Sequence, residues 1–247
     1  MGGFESLFSM QVLKKKAEPG RLQAMKKRHL THGSHCLISI LSILLLPPVA
    51  FGNDSIEIPA FYQPLVYRLS QAGFDFEFLS KLFTDPRSDF MPAATAISLF
   101  PNELPERYVQ FLSPESILLS KTFLRNNLKT LREMENRFHV EKEVAVAILL
   151  VESRFGENIG KYRVLPTLAS MALMDSPENL WGNYLTLWKL DPELSFEWVE
   201  GQAKRKALWA YHELKCFLKI IRSEKIDPLE VYGSSAGALG MAQFIPS

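Results

Sequence analysis

From residue 53 onward apolar positions recur three and four residues apart, and alternating runs of β-branched residues are absent. This is the spacing of helices that each bury one face, not of strands. It predicts short helices near 61–72 and 75–84, the second capped by Asp75. Residues 85–112, broken by Pro86, Pro92, Pro101 and Pro105, read as irregular. Ser113-Pro114-Glu115 is a strong helix start: a side-chain acceptor, a residue of helical φ, then an acid for the positive end of the dipole. The helix that follows places Ile117, Leu124, Leu128, Leu131 and Phe138 at helical spacing. Another runs from about Glu141 to Phe155 and stops at Gly156. Its stripe of Val144, Ala147, Ile148, Val151 and Phe155 is expected to face the core. Further helices are expected near 164–174, 178–189 and 195–222. The fold class predicted is all-α, an irregular helical bundle without parallel-sheet units.

The first 52 residues are of another kind. They carry seven of the 28 Lys/Arg and only two of the 27 Asp/Glu. After this basic head comes the apolar run Cys36–Leu46, then Pro47-Pro48-Val49-Ala50-Phe51-Gly52. That order is expected of a signal peptide cut before Asn53, with Met25 as an alternative start. The run is shorter than the ~20 residues a spanning helix needs, so no stable membrane span is expected once the signal is cleaved. An uncleaved anchor over 36–52 is the competing reading. The domains are therefore 1–52, an N-terminal extension and signal peptide, and 53–247, the helical domain, exported to the periplasm or cell envelope. That domain is mildly acidic, which argues against nucleic acid as its main partner. Its single cysteine, Cys216, allows no internal disulfide and is expected as a small buried apolar residue.

Glu152 is the acid that stands out. On the expected stripe it falls on or beside the buried face, in the last helical turn, and both features disfavour its charge. Such a carboxyl is suited to general acid catalysis. The residues alone leave a second reading open, in which Glu152 is solvated or pairs with Arg154 or Lys161. The segment Ala145-Val-Ala-Ile-Leu-Leu-Val-Glu-Ser-Arg-Phe-Gly156 ends in Val-Glu-Ser-x-Phe-Gly. With Phe111-Leu-Ser-Pro-Glu-Ser-Ile117 upstream and Gly233-Ser-Ser-Ala-Gly-Ala-Leu-Gly-Met-Ala-Gln-Phe-Ile-Pro-Ser247 downstream, it resembles the membrane-bound lytic transglycosylase B family.

That resemblance, over about residues 60–247, implies a lysozyme-like fold and peptidoglycan glycan strands as partner, with proteins of wall synthesis or degradation as possible further partners. It implies cleavage of the MurNAc–GlcNAc β-1,4 bond without water, leaving 1,6-anhydro-MurNAc ends. Glu152 takes the place of a single catalytic acid/base. Most glycosidases use two carboxylates, and no obvious second one is visible: Glu157 lies five residues on, past Gly156. Ser234 and Gln243 fall where the family binds sugar; the plainer reading is a Gly-rich turn that packs helices. Arg205, with Lys206, is a candidate for peptide or lactyl carboxylates, or else part of a solvated face. No cofactor and no metal site are expected. Family members continue beyond Ser247, so the fold is expected to be incomplete at its C-terminus. The alternative function is therefore a non-catalytic peptidoglycan-binding protein of the same fold. Trp181, Trp188, Trp198 and Trp209 either stack on sugars or belong to the core.

Overall fold

The structure, a computed structural model, describes residues 57–99 and 106–247. The extension and signal peptide expected over 1–52 lie outside the described residues. In chain order the helices are α1 (Gln63–Gln71), α2 (Phe76–Thr84), α3 (Pro92–Ile97), α4 (Glu106–Val109), α5 (Pro114–Asn126), α6 (Leu128–Phe138), α7 (Lys142–Ser153), α8 (Val164–Ala172), α9 (Pro177–Trp188) and α10 (Phe196–Glu224). Strands β1 (Tyr162–Arg163) and β2 (Tyr232–Gly233) pair antiparallel, with Tyr162 opposite Gly233. The expected all-α class holds, and the only sheet among the described residues is this two-residue ladder.

Every residue of α8 is buried, because no charged side chain occurs between Val164 and Met174. Pro166 costs little there, since the first turn of a helix has no use for its missing N–H. The long α10 packs along α8. Ala203, Ala207 and Ala210 keep that approach close, and Leu214, Phe217, Leu218 and Ile221 continue the seam. Fully buried side chains such as Leu165, Leu168 and Leu214 each contribute roughly 2 kcal/mol of transfer free energy. α1 and α2 close this core with Leu65, Leu69, Leu79 and Phe83. α5, α6 and α7 form a second layer that buries less: Leu131, Val146, Leu149 and Leu150 are its inner side chains and lie outside the main cluster.

The caps follow the sequence. Asp75 accepts from the Phe78 amide at 2.8 Å, and Ser113 accepts from that of Ser116 at 3.2 Å. Other expectations need correction. Residues 114–138 form two helices, not one, because the chain breaks at Asn127 (φ −117°, ψ 17°), whose side chain donates back to the Phe123 carbonyl. The break shifts the helical phase, so of the expected stripe only Leu131 is buried, while Ile117 and Phe138 are exposed. The proline-rich 85–112 stretch holds α3, α4 and a 3-10 turn at Gln110–Leu112; Pro92 starts α3, a position where proline is tolerated. Cys216 is half-buried, its Sγ 3.7 Å from His212 Nε2. Trp198 and Trp209 pack against the core, whereas Trp181 and Trp188 are exposed.

One ion-pair network fixes the base of β2. Arg87 reaches Asp85 (2.8 Å), Asp227 (3.0 Å) and Glu230 (2.7 Å), and Arg163 donates to the Leu229 carbonyl. The hydrogen bonds from Arg87 hold the Asp85 carboxyl down at about 2, below its ordinary value near 3.8. Its stabilising contribution is therefore present above pH 4 and is lost as the pH falls towards 2. In denaturant melts across that window, Arg87→Met is expected to flatten the pH dependence of stability. An unchanged slope would show that the network carries no linked protonation. The groups are partly exposed, so the effect shrinks in high salt.

Candidate active site

α7 ends by reversing its backbone. Arg154, Phe155 and Gly156 have φ of 48°, 61° and 89°, and the amides of Arg154 and Phe155 return to the carbonyls of Leu150 and Leu149. This is a left-handed C-terminal closure of the helix. Two non-glycine residues in that region are unfavourable, and specific contacts hold them. Phe155 stacks on Phe123 with ring centroids 4.2 Å apart. Arg154 pairs with Glu115 at 3.0 Å and with Glu157 at 3.3 Å, and these partners raise the pKa of its guanidinium. Ser153, which is buried, donates to the Met241 carbonyl at 2.5 Å and accepts from the Gly156 amide at 2.9 Å. The helix end is thus tied to the start of α5 and to the segment before Gln243. Ser153 carries this junction, and sequence reasoning did not single it out. Its only signal was its place beside the glutamate in the Val-Glu-Ser-x-Phe-Gly block.

Glu152 immediately precedes this clamp, and its surroundings are not those expected. The packed face of α7 is Val146, Leu149, Leu150 and Ser153. Val144, Ile148 and Val151, expected inside, are exposed by 46, 49 and 38%. Glu152 lies on that outer side and is exposed. The helix is apolar nearly all round, so its pattern did not decide which arc would pack. The burial expected to disfavour the charge of Glu152 is absent. The structural pairing weighed for it is absent too: Arg154 is taken by Glu115 and Glu157, and Lys161 lies over the Tyr162 ring. Among the described residues the Glu152 carboxylate has no hydrogen-bond or ion-pair partner.

Beyond β2 the chain folds into a tight double turn, with bridges from Leu239 to Gly233 and to Phe244. Ser234 Oγ accepts the amides of Ala236 (3.2 Å) and Ala238 (3.1 Å), which leaves its hydroxyl proton free to donate. Gln243 Nε2 donates to the carbonyls of Ile159 (3.2 Å) and Gly240 (2.7 Å), leaving the amide oxygen as an open acceptor. Gly160 lets this loop approach. Its φ is 97°, and a Cβ there would stand 1.9 Å from the Gly233 carbonyl oxygen. Through Ser153–Met241 and Gln243–Ile159 the structure ties the end of α7 and the segment after it to the loop that carries Ser234 and Gln243. Arg205 is elsewhere. It lines a hollow of about 420 Å³ with Ser98, Leu99, Gln202, Lys206, Trp209 and Ala236, which meets the loop only at Ala236. Arg205 makes no ion pair among the described residues. Lys206 donates to the Ser98 carbonyl, and burial pushes its amine down.

The family model of the transglycosylase SLT domain matches residues 58–247. The chain belongs to this family. The SLT-domain chain is 26% identical over 211 residues to membrane-bound lytic murein transglycosylase B of Escherichia coli (strain K12), covering 79% of this chain and 50% of that protein. Among solved structures it resembles soluble lytic transglycosylase SltB1 of Pseudomonas aeruginosa (27% identity, TM-score 0.56, 74% of this chain and 53% of that one). It also resembles lytic transglycosylase Slt35 of Escherichia coli (25%, 0.56, 76% and 52%). The SLT-domain chain thus spans about half the length of these relatives, and its fold is the lysozyme-like fold of lytic transglycosylases. No described helix is long and apolar enough to cross a membrane.

Proposed function

We propose that the protein is a peptidoglycan lytic transglycosylase of the cell envelope, with Glu152 as its acid and base. The observation that carries this reading is an unpartnered carboxylate fixed by its own helix end. Its neighbours Ser153, Arg154 and Phe155 are all engaged in holding the turn, while Glu152 is left free. The relatives named above are lytic transglycosylases, which supports the same chemistry here.

In the proposed reaction Glu152, protonated, gives its proton to the oxygen that leaves MurNAc C1, and the C1–O bond breaks with its electron pair on that oxygen. The carboxylate then takes the proton of the C6 hydroxyl of the same sugar. The C6 oxygen bonds to C1 and closes the 1,6-anhydro ring, so no water is consumed and Glu152 is again protonated. A water-activating second carboxylate is not required, and Glu157 is occupied by Arg154. Ser234 and Gln243 are proposed to bind the glycan through the free hydroxyl proton and the open amide oxygen. Arg205 is proposed to meet lactyl or peptide carboxylates from the adjoining hollow.

A second reading rests on the exposure of Glu152. A carboxyl that no described residue covers lacks a dry site, and the protein would then bind glycan without cutting it. Mass spectrometry of the soluble products from purified sacculi decides between them. The expected products carry 1,6-anhydro ends, one water lighter than hydrolysed ones. Hydrated ends would refute the mechanism, and sacculi that bind folded protein but release nothing would support the binding reading.

A further inference from the structure

α9 has two unlike faces. Leu180, Asn183 and Leu187 are buried, and the helix packs against α3 and α10. The opposite face presents Trp181, Leu185 and Trp188, exposed by 55, 39 and 46%. Seven residues of helix bring the two tryptophans to within about 20° around the axis and set them about 10.5 Å apart along it, close to one disaccharide of an extended β-1,4-linked strand. Leu185 fills the interval. The ring of Trp181 is held in place, with Tyr184 at 5.7 Å and Phe196 at 6.0 Å between centroids.

Gly182 supplies a separate observation. Glycine is unfavourable in the middle of a helix, yet a Cβ here would meet no heavy atom within 4 Å. Packing inside the protein does not account for it. Gly182 stands one position round the helix from Trp181 and three before Leu185, so a long side chain placed there would reach the border of the exposed face. Charge narrows the class of molecule that suits this face. Between residues 175 and 197 there are five acids, Asp175, Glu178, Asp191, Glu193 and Glu197, and one base, Lys189. This repels nucleic acid and anionic lipid. A sugar ring, apolar on its C–H face and polar at its rim, fits an indole that is apolar on its face and wet at its edge.

We propose that this face of α9 is a second glycan-binding surface, on which a β-1,4-linked N-acetylated strand lies with alternate rings over Trp181 and Trp188. It is separate from the Glu152 junction, since α7 packs against α5 and α6 while α9 packs against α3 and α10. It goes beyond the cleavage reading and would hold a strand whether or not Glu152 cuts.

The test measures binding alone. The purified protein carrying Glu152→Gln is co-sedimented with purified sacculi and titrated with a soluble β-1,4-linked N-acetylglucosamine hexamer. Adding Trp181→Ala and Trp188→Ala together is expected to weaken both by on the order of tenfold. Because Trp181 also touches Tyr184 and Phe196, Gly182→Gln serves as a second variant. It enters open space and favours helix, so its melting temperature is expected to match or exceed the parent's while its glycan binding falls. Unchanged binding in both variants would overturn the proposal. So would a dimer that the double tryptophan variant converts to monomer without loss of glycan binding, which would assign the face to contact between copies of the chain.

Discussion

Glu152→Gln is expected to lower the release of soluble fragments from purified sacculi by roughly a thousandfold, the scale on which a positioned acid/base acts. The amide has the shape of the carboxyl but neither gives nor takes the proton. Nothing described stands ready to replace it. Glu157 is the next acid along the chain and is paired with Arg154, which also binds Glu115. The substitution should leave the fold alone, because Glu152 has no partner to lose among the described residues and lies on the outer side of α7. Melting temperature is therefore expected to stay within the range of neutral surface substitutions. Release that survives in Glu152→Gln would remove the residue from the mechanism. Loss of release together with loss of stability would mean that the carboxylate has a structural role.

The second large effect is on stability. Gly160→Ala is expected to destabilise the protein by about 3–5 kcal/mol, the range reached when a clash and backbone strain combine. The new Cβ would stand 1.9 Å from the Gly233 oxygen, 2.0 Å from its carbon and 2.5 Å from the Ser234 nitrogen. All three are backbone atoms of β2 and the residue that follows it, so no side chain can swing aside. Gly73→Ala is the control. Its φ of 89° is similar, but nothing lies within 4 Å of the added carbon, so only the conformational cost of about 1–2 kcal/mol remains. Urea titrations of both variants separate clash from strain. Equal losses would show that β2 yields to the intruding methyl. The same displacement would carry Ser234 with it, so Gly160→Ala should also weaken glycan binding.

The bundle was legible in the sequence because its signals are local. Asp75, Ser113 and the proline after it mark helix starts through groups within one turn, and the uncharged run after Val164 announces the central helix. The orientation of α7 was not legible. Val144, Ile148 and Val151 make as good a stripe as Val146, Leu149 and Leu150, and only the arrival of α5 and α6 selects between them. The site divides in the same way. Glu152, Ser234 and Gln243 stood in blocks that resemble a family, but the roles of Ser153, Glu115 and Gly160 depend on contacts across 88, 39 and 73 residues of chain. A hydroxyl that meets a distant carbonyl has no sequence pattern of its own.

The tie from Ser153 to Met241 also sets an order of events. The helix that carries Glu152 can form within microseconds from local contacts alone. The tie at its end waits for a carbonyl 88 residues further along the chain. Until Met241 docks, the proposed acid exists without an address. The protein should therefore acquire its working geometry in one late step, and pulse-labelled hydrogen exchange should show the amides of α7 protected before those of Leu239 and Phe244.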